Sequence, residues 1–377
     1  MTTAALVFIL AWSIGLTGLF VVLFRVLPGA RWQFIAAVPG RPRGGGEYQG
    51  RNLTWYGFFT ATSIVYALSL FTALSLAAGA EILQTALFGV LILAIAIPCA
   101  KIVAAIVEKR KGTITVAGAA FPALLLAPPA SLVLPHLGRA DITPGMMLAA
   151  LSIAYVAGEG FGRLACLSFG CCYGRRADEF GPRAQKLLQV FGQRFYGHLK
   201  KASYEGQREG ELLFPIQAVN AVVYSVIAVG AASLFLSGFY LLSFLIAVGL
   251  GFGWRFVSEF LRSDFRGDAR ISAYQYMSLA AVAYCLFAGL FIDFSSPVAP
   301  DILLAGAIFR DARFLLGIQA LWVACFVYLG VSSVTRSEIR FSSCLHELST
   351  SKKEPNRESS ASSARQPAAQ PPVISVR

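Results

Sequence analysis

Charged residues are scarce in this sequence. Asp, Glu, Lys and Arg make up 14% of its 377 residues, whereas a soluble domain carries about 25%. Hydrophobic residues account for 56%, and the mean hydropathy is +0.64. This composition excludes a set of soluble domains and a nucleic-acid-binding module, and it predicts one polytopic membrane protein.

Histidine is also rare, and cysteine is not organised for crosslinking. The histidines are His136, His198 and His346, which lie in predicted loops and in the C-terminal tail. The seven cysteines are scattered, most of them within apolar runs, so they do not resemble a disulfide framework. We expect no cofactor.

Long apolar runs are what the sequence does contain. Nine of them approach the length of about 20 residues that a helix needs to cross a bilayer. The sequence therefore predicts an all-α, polytopic membrane helical bundle with about nine transmembrane helices. The runs cover roughly residues 4–26, 57–78, 83–107, 113–134, 146–170, 215–236, 239–258, 274–293 and 315–334.

Basic residues between the runs predict an orientation. The formal charge of +12 suits contact with anionic lipid headgroups. Lys/Arg-rich loops alternate with loops that have few basic residues, and the positive-inside rule places the basic loops and the tail in the cytoplasm. The longest basic loop, residues 173–213, carries eight Lys/Arg and five Asp/Glu and is polar enough to form an extramembrane cap. The other basic loops lie around 27–56, 108–112 and 259–273.

Few ionisable side chains lie within the runs, and each costs about 2.5–3.5 kcal/mol at the bilayer centre. Glu159 and Arg163 are four residues apart, so they share a helix face and can pair. Arg255 and Glu259 repeat this spacing on another run, and Arg262 continues the row towards the membrane surface. These charges are either ion-paired helix ends that hold the bundle together or a cavity in which two guanidinium groups bind a phosphate.

The segment GRLACLSFGCCYG, residues 162–174, contains three cysteines. Cys166, Cys171 and Cys172 can be buried as small hydrophobic residues or can act as reactive thiols beside arginines. The C-x4-C-C spacing is not a common zinc pattern, and no histidine is close in sequence. No metal site is therefore predicted.

The same segment resembles the signature GRxGNFxNGExxG of the prolipoprotein diacylglyceryl transferase family, in its GCCYG version. WRFVSEFLR, residues 254–262, resembles the family's RFxxEFFR segment, and LTWYGFFTATSIVYAL, residues 53–68, resembles its WYG helix start. FPIQAVNAV, residues 214–222, is similar to HPxQLYEAL and keeps Pro215 and Gln217.

The resemblance implies a domain organisation. A seven-helix transferase-like core would occupy residues 53–293 and would include the polar loop 173–213. Residues 1–52 would add an N-terminal transmembrane helix and a basic loop, and residues 294–335 a C-terminal transmembrane helix. Residues 336–377, rich in Ser, Pro and basic residues, would form a disordered tail.

The resemblance also implies an activity and its partners. Enzymes of this family transfer a diacylglyceryl group from phosphatidylglycerol to the lipobox cysteine thiol of a prolipoprotein in the bacterial inner membrane, and glycerol phosphate leaves. The partners would be phospholipid, prolipoprotein and membrane, with no nucleic acid. The implied catalytic residues are Arg163, Arg255, Glu259 and Glu159, and the implied substrate-binding residues are Gly162, Cys166, Cys171, Cys172, Tyr173, Gln217 and Arg262.

The chain departs from the family in its acid and base groups. Ala117 replaces a histidine, and Phe214 replaces the histidine of HPxQLYEAL. Any base must therefore be Glu159, Glu259, Asp264 or a thiolate. A catalytically silent lipid-binding or assembly protein is an alternative, as is a small-anion transporter, although no internal repeat supports the latter. The family places the loop after the signature helix in the periplasm, opposite to the charge rule.

Overall fold

The structure, a computed structural model, describes residues 1–44, 47–108, 116–133, 142–264, 271–295 and 299–340. The elements in chain order are α1 (Thr3–Val26), β1 (Phe34–Gly44), β2 (Glu47–Thr54), α2 (Trp55–Ala77), α3 (Ile82–Glu108), α4 (Val116–Val133), α5 (Pro144–Phe169), α6 (Pro182–Phe191), α7 (Lys201–Tyr204), α8 (Ile216–Phe235), α9 (Tyr240–Ser258), α10 (Ala273–Gly289), α11 (Ala312–Gly330) and β3 (Val331–Arg340).

The predicted helical membrane bundle is confirmed. Each of the nine apolar runs coincides with a helix of the structure, namely α1–α5 and α8–α11. Seven helices of the described residues are long and apolar enough to cross a bilayer. Because α4 and α10 are shorter, a total of nine spans stays a prediction.

Helix α5 is the centre of the bundle. It packs against α2, α8 and α9, and most of its apolar span is buried inside the protein. The outer helices α3 and α4 pack against each other, and α10 packs on α9. Since Glu159, Arg163 and Arg255 sit on α5 and α9, this arrangement places them in the interior rather than against lipid.

Local sequence signals set the ends of the helices that carry the site. The Thr54 side chain accepts a hydrogen bond from the Gly57 amide and caps α2. Helix α5 begins with Pro144 in its first turn and ends at Phe169, and the Gly170 that caps it has a left-handed φ of 72°, which suits glycine. The chain therefore turns sharply just after the last residue of α5.

A three-stranded antiparallel sheet, which the sequence did not predict, lies at one end of the bundle. Strand β2 is central, with β1 on one side and β3 on the other. Residues 336–340, assigned above to the tail, form part of β3. Residues 341–377, together with His136, His346 and the loop residues 265–270, lie outside the described residues.

The loop 173–213 folds into a small cap on the same end of the bundle as the sheet. Phe195 and Leu213 are fully buried in its own apolar cluster. The buried Lys200 ammonium donates to the backbone oxygens of Leu27, after α1, and of Ser168, in the last turn of α5. The cap is thereby fixed to the ends of two membrane helices.

Candidate active site

One carboxylate oxygen joins the two arginines. Glu159 Oε1 accepts from Arg163 within α5 and from Arg255 Nη1 of α9 at 2.9 Å. The Glu159 side chain is fully buried, and the two arginine side chains are 6% exposed. Two helices therefore bring their guanidinium groups to one point in the interior.

The ion pairs follow the predicted spacing only on α5. Glu159 and Arg163 pair at i, i+4 as expected. Helix α9 ends at Ser258, and Glu259 begins a 3-10 turn, so its side chain leaves the row that Arg255 occupies. Among the described residues Arg255 instead pairs across helices with Glu159, and Glu259 pairs with Arg262.

The arginine cluster has unused hydrogen-bonding capacity. Glu159 Oε2, Arg163 Nε, Arg255 Nε and the Tyr224 hydroxyl are buried and have no hydrogen-bond partner among the described residues. The Arg163 guanidinium lies over the Tyr224 ring, 5.8 Å from its centroid. Two arginines and one glutamate carry a formal charge of +1. Buried polar atoms are normally satisfied, so this arrangement suits an additional anion.

A cavity of about 280 Å³ leads to this cluster. It follows α5 from Leu148 to Cys166, which is about 27 Å at 1.5 Å per residue. Its walls are mostly apolar side chains of α2, α3, α4 and α9. Its polar residues gather towards the sheet-bearing end of the bundle and include Tyr56, Thr60, Ser63, Glu159, Arg163 and Cys166. A long apolar space with one polar end has the shape and polarity of a lipid site.

A second ion cluster lies just beyond α9. Arg262 forms a fork with Asp264, with Nε to Oδ1 at 2.9 Å and Nη2 to Oδ2 at 2.8 Å, and its Nη1 contacts Glu259 Oε1 at 3.1 Å. Burial raises the pKa of Asp264 to about 7, although the charge of Arg262 opposes the rise. Asp264 is therefore suited to exchange a proton near neutral pH.

The three signature cysteines meet beside these clusters. Their Sγ atoms all lie within 4.8 Å of one another, and Cys166 and Cys172 are 3.8 Å apart. The left-handed turn at Gly170, followed by Cys172 with a φ of 55°, folds the chain back over the last turn of α5. Hydrogen bonds from the Cys166 and Cys171 thiols lower the pKa of Cys172, and the nearby Arg262 adds to the effect.

The remaining predicted site residues have distinct positions. Gly162 and Cys166 line the cavity. Gln217 holds the cysteine turn, because its Nε2 donates to the Cys171 carbonyl at 2.9 Å. Tyr173 packs inside the apolar cluster of the cap and is not among the cavity-lining residues. Only part of the predicted substrate-binding set is therefore in contact with the cavity.

Sequence reasoning missed some residues at the polar end. Tyr224 of α8 and Tyr155 of α5 adjoin the arginines, and Tyr155 lines the cavity. No motif marks these tyrosines. Tyr56 lines the cavity too, and its position in the WYG segment was a signal that could have found it.

Fold and site together define a class: a multi-pass membrane protein with a lipid-shaped cavity that ends at buried arginines. A family model described as "Prolipoprotein diacylglyceryl transferase" matches residues 47–291. The chain belongs to this family, and the match confirms the resemblance seen over residues 53–293. The family supports a transferase-type function with lipid and prolipoprotein substrates. No curated protein matches the chain.

Proposed function

We propose that this protein transfers the diacylglyceryl group of phosphatidylglycerol to the lipobox cysteine of a prolipoprotein in the bacterial inner membrane. The observation that carries the proposal is the position of Glu159 and Arg163 at the polar end of an apolar cavity, with Arg255 bound to the same Glu159 oxygen behind them. The acyl chains would occupy the apolar part, with the phosphodiester at the arginines.

The charge of the arginine cluster fits the proposed reaction. A formal charge of +1 matches the single negative charge of a phosphodiester. As the carbon–oxygen bond breaks, the leaving glycerol phosphate gains a second negative charge, and preplaced guanidinium donors stabilise that charge most strongly in the transition state. The Nε groups of Arg163 and Arg255 are buried without a hydrogen-bond partner among the described residues, and Arg163 lines the cavity. In this proposal these groups donate to the phosphate while the Glu159 pairs stay in place.

The acceptor thiol has to lose a proton before it attacks. Asp264, whose pKa burial raises to about 7, and Glu259 lie beyond α9, and Arg262 orients both carboxylates. In this proposal Arg262 is a positioning residue, and the carboxylates accept the proton.

The decisive experiment has two parts. The full chain is first expressed in cells depleted of their own transferase, and the purified protein is then mixed with phosphatidylglycerol vesicles and a lipobox peptide. The wild type is expected to give diacylglyceryl peptide by mass spectrometry. Arg163→Ala and Arg255→Ala should lower the rate about 100-fold or more, because each removes a donor to developing charge. Arg313→Ala, at a 92% exposed side chain, is the matched control and should keep full activity.

The alternative function is lipid binding without catalysis, and the bridging of both arginines by Glu159 favours it. In that case phosphatidylglycerol would copurify with the wild type but not with Arg255→Ala. The wild-type protein would yield no modified peptide even when it is well expressed. Full lipidation by Arg163→Ala would contradict the transferase mechanism proposed here.

A further inference from the structure

The C-x4-C-C spacing predicted no metal site, but the structure brings the three signature cysteines together as a group that could hold a metal ion. Zinc bonded to sulfur at about 2.3 Å in tetrahedral geometry holds its sulfur ligands about 3.8 Å apart. Cys166 and Cys172 are already at 3.8 Å, and the Sγ atoms of all three cysteines lie within 4.8 Å of one another. Small side-chain rotations therefore suffice to place all three around one ion.

The backbone around these cysteines is built to hold them together. Cys172 adopts a φ of 55°, which is costly for a residue with a Cβ and persists only where the surroundings enforce it. The Gln217 side chain fixes the Cys171 carbonyl at 2.9 Å. Hydrogen bonds of this kind orient the ligands of metal sites.

Charge and position also fit a bound ion. Three thiolates around Zn²⁺ leave a net charge of −1, and the cationic Arg163, Arg262 and Lys201 interact electrostatically with the cysteines. Cys166 lines the cavity, close to the arginines where the phosphodiester is expected. Three protein ligands leave one tetrahedral position for a substrate atom.

We propose that Cys166, Cys171 and Cys172 bind one Zn²⁺ whose fourth position takes the thiol of the acceptor cysteine. The binding of Zn²⁺ by the three cysteines does not depend on the proposed function, whereas the binding of the acceptor thiol rests on it. Binding converts the thiol to a zinc-bound thiolate, and its proton passes to a carboxylate of the Arg262 cluster. The sulfur then forms a bond to the glyceryl carbon, the carbon–oxygen bond breaks, and glycerol phosphate leaves with the bonding electrons.

The metal site explains how a chain without the family's histidines can activate a thiol. Coordination lowers the pKa of the acceptor thiol directly, so a weakly basic carboxylate is sufficient to take its proton. Zn²⁺ has no redox chemistry, so no oxidant or reductant is needed.

The test measures metal first, on the full-length protein in detergent. Wild type is expected to hold about one Zn²⁺ per chain, with sulfur ligands in its X-ray absorption spectrum and sulfur-to-metal charge transfer after Co²⁺ replacement. Cys172→Ser and Cys171→Ser should lose the ion, whereas Cys325→Ser, at a buried cysteine of α11, should retain it. Absence of sulfur-bound metal in wild type, or full retention in Cys172→Ser, would overturn the proposal.

The second measurement adds a lipobox peptide with cysteine or with serine at the acceptor position. Only the cysteine peptide should raise the sulfur coordination from three ligands to four. Sulfur coordination without any lipidation supports the metal site and refutes the transferase function. Full lipidation by metal-depleted protein refutes the role of the metal while the transferase function stands.

Discussion

A single oxygen atom of Glu159 pairs with two buried arginines, and the cluster keeps one positive charge. Removing one partner of a buried ion pair costs about 3–5 kcal/mol, because the other charge is left uncompensated. Glu159→Ala leaves two buried positive charges without a negative partner, whereas Arg163→Ala leaves Arg255 and Glu159 paired. We expect Glu159→Ala to lower the thermal unfolding temperature in detergent more than Arg163→Ala does.

Glu159→Gln serves as the graded control for this prediction, because an amide oxygen still accepts a hydrogen bond but carries no charge. Its unfolding temperature should lie between those of wild type and Glu159→Ala. An Arg163→Ala protein that is less stable than Glu159→Ala would show that the carboxylate is not the centre of the cluster.

Lys200 makes a pH-dependent contribution to stability. Burial lowers its pKa from 10.5 to about 7, so between these values the unfolded chain holds a proton that the folded protein releases. The free energy of unfolding should therefore rise from pH 7.5 to 9.5. Lys200→Met should remove this rise, while the exposed Lys186→Met should keep it. An unchanged slope in Lys200→Met would contradict the assignment.

At the residue scale, the sequence predicted the Glu159–Arg163 contact correctly, whereas the expected pairing of Arg255 with Glu259 was wrong and the bond from Arg255 to Glu159 was not predicted. The spacing of Glu159 and Arg163 was sufficient to predict their pair. The bond from Arg255 to Glu159 depends on how α9 is rotated against α5. Residue spacing along a single helix gives no information on this rotation. The cysteine cluster likewise depends on the left-handed turn at Gly170.

Helices α2 and α5 approach closely along a face of small residues. A Cβ added at Gly158 would lie 2.9 Å from the Ala67 Cβ, and one at Gly162 would lie 3.4 Å from Ser63 Oγ. Gly158→Val should therefore destabilise the bundle by about 1–3 kcal/mol through overpacking. The measurement is thermal unfolding in detergent.

Gly249→Val in α9 is the matched control, because a Cβ there meets nothing within 4 Å. Both substitutions add the same β-branched side chain to a helix interior, so the intrinsic helix propensity cancels in the comparison. Equal losses of stability in the two variants would show that the α2–α5 contact is not tight.

At the element scale, helices were predictable and the sheet was not. Apolar runs of bilayer length specify a helix by themselves. Strand β1 contains Pro39 and Pro42, where its pairing with β2 is irregular, and such residues usually indicate a loop. The third strand, β3, comes from residues 331–340, almost 300 positions after β2. No local sequence pattern predicts the pairing of two segments so far apart.

For the whole molecule, the sheet and the cap lie at the same end of the bundle as the cysteines and Arg262. The charge rule places that end in the cytoplasm. The long loop 173–213 is weak evidence for the rule, but the shorter basic loops and the tail agree with it. An acceptor prolipoprotein is met after export, so the proposed function requires the opposite orientation. A membrane-impermeant maleimide should therefore label Val190→Cys in intact spheroplasts.

Ser237→Cys, in the exposed turn between α8 and α9, marks the other end and should react only after permeabilisation. Wild type, with its native cysteines, gives the background labelling. The reverse pattern would place the cap in the cytoplasm and would exclude exported prolipoproteins as substrates.

The order of the sheet strands has a consequence for biosynthesis. Strand β2 is translated early, yet its partner β3 follows almost 300 residues later, which is roughly 15–60 s at 5–20 residues per second. Throughout that interval one edge of the hairpin has unmatched amide and carbonyl groups. The ribosome thus synthesises the membrane helices before β3 can pair with this edge of β2. Pairing of β3 with β2 can therefore occur only after the last helix, α11, has been made.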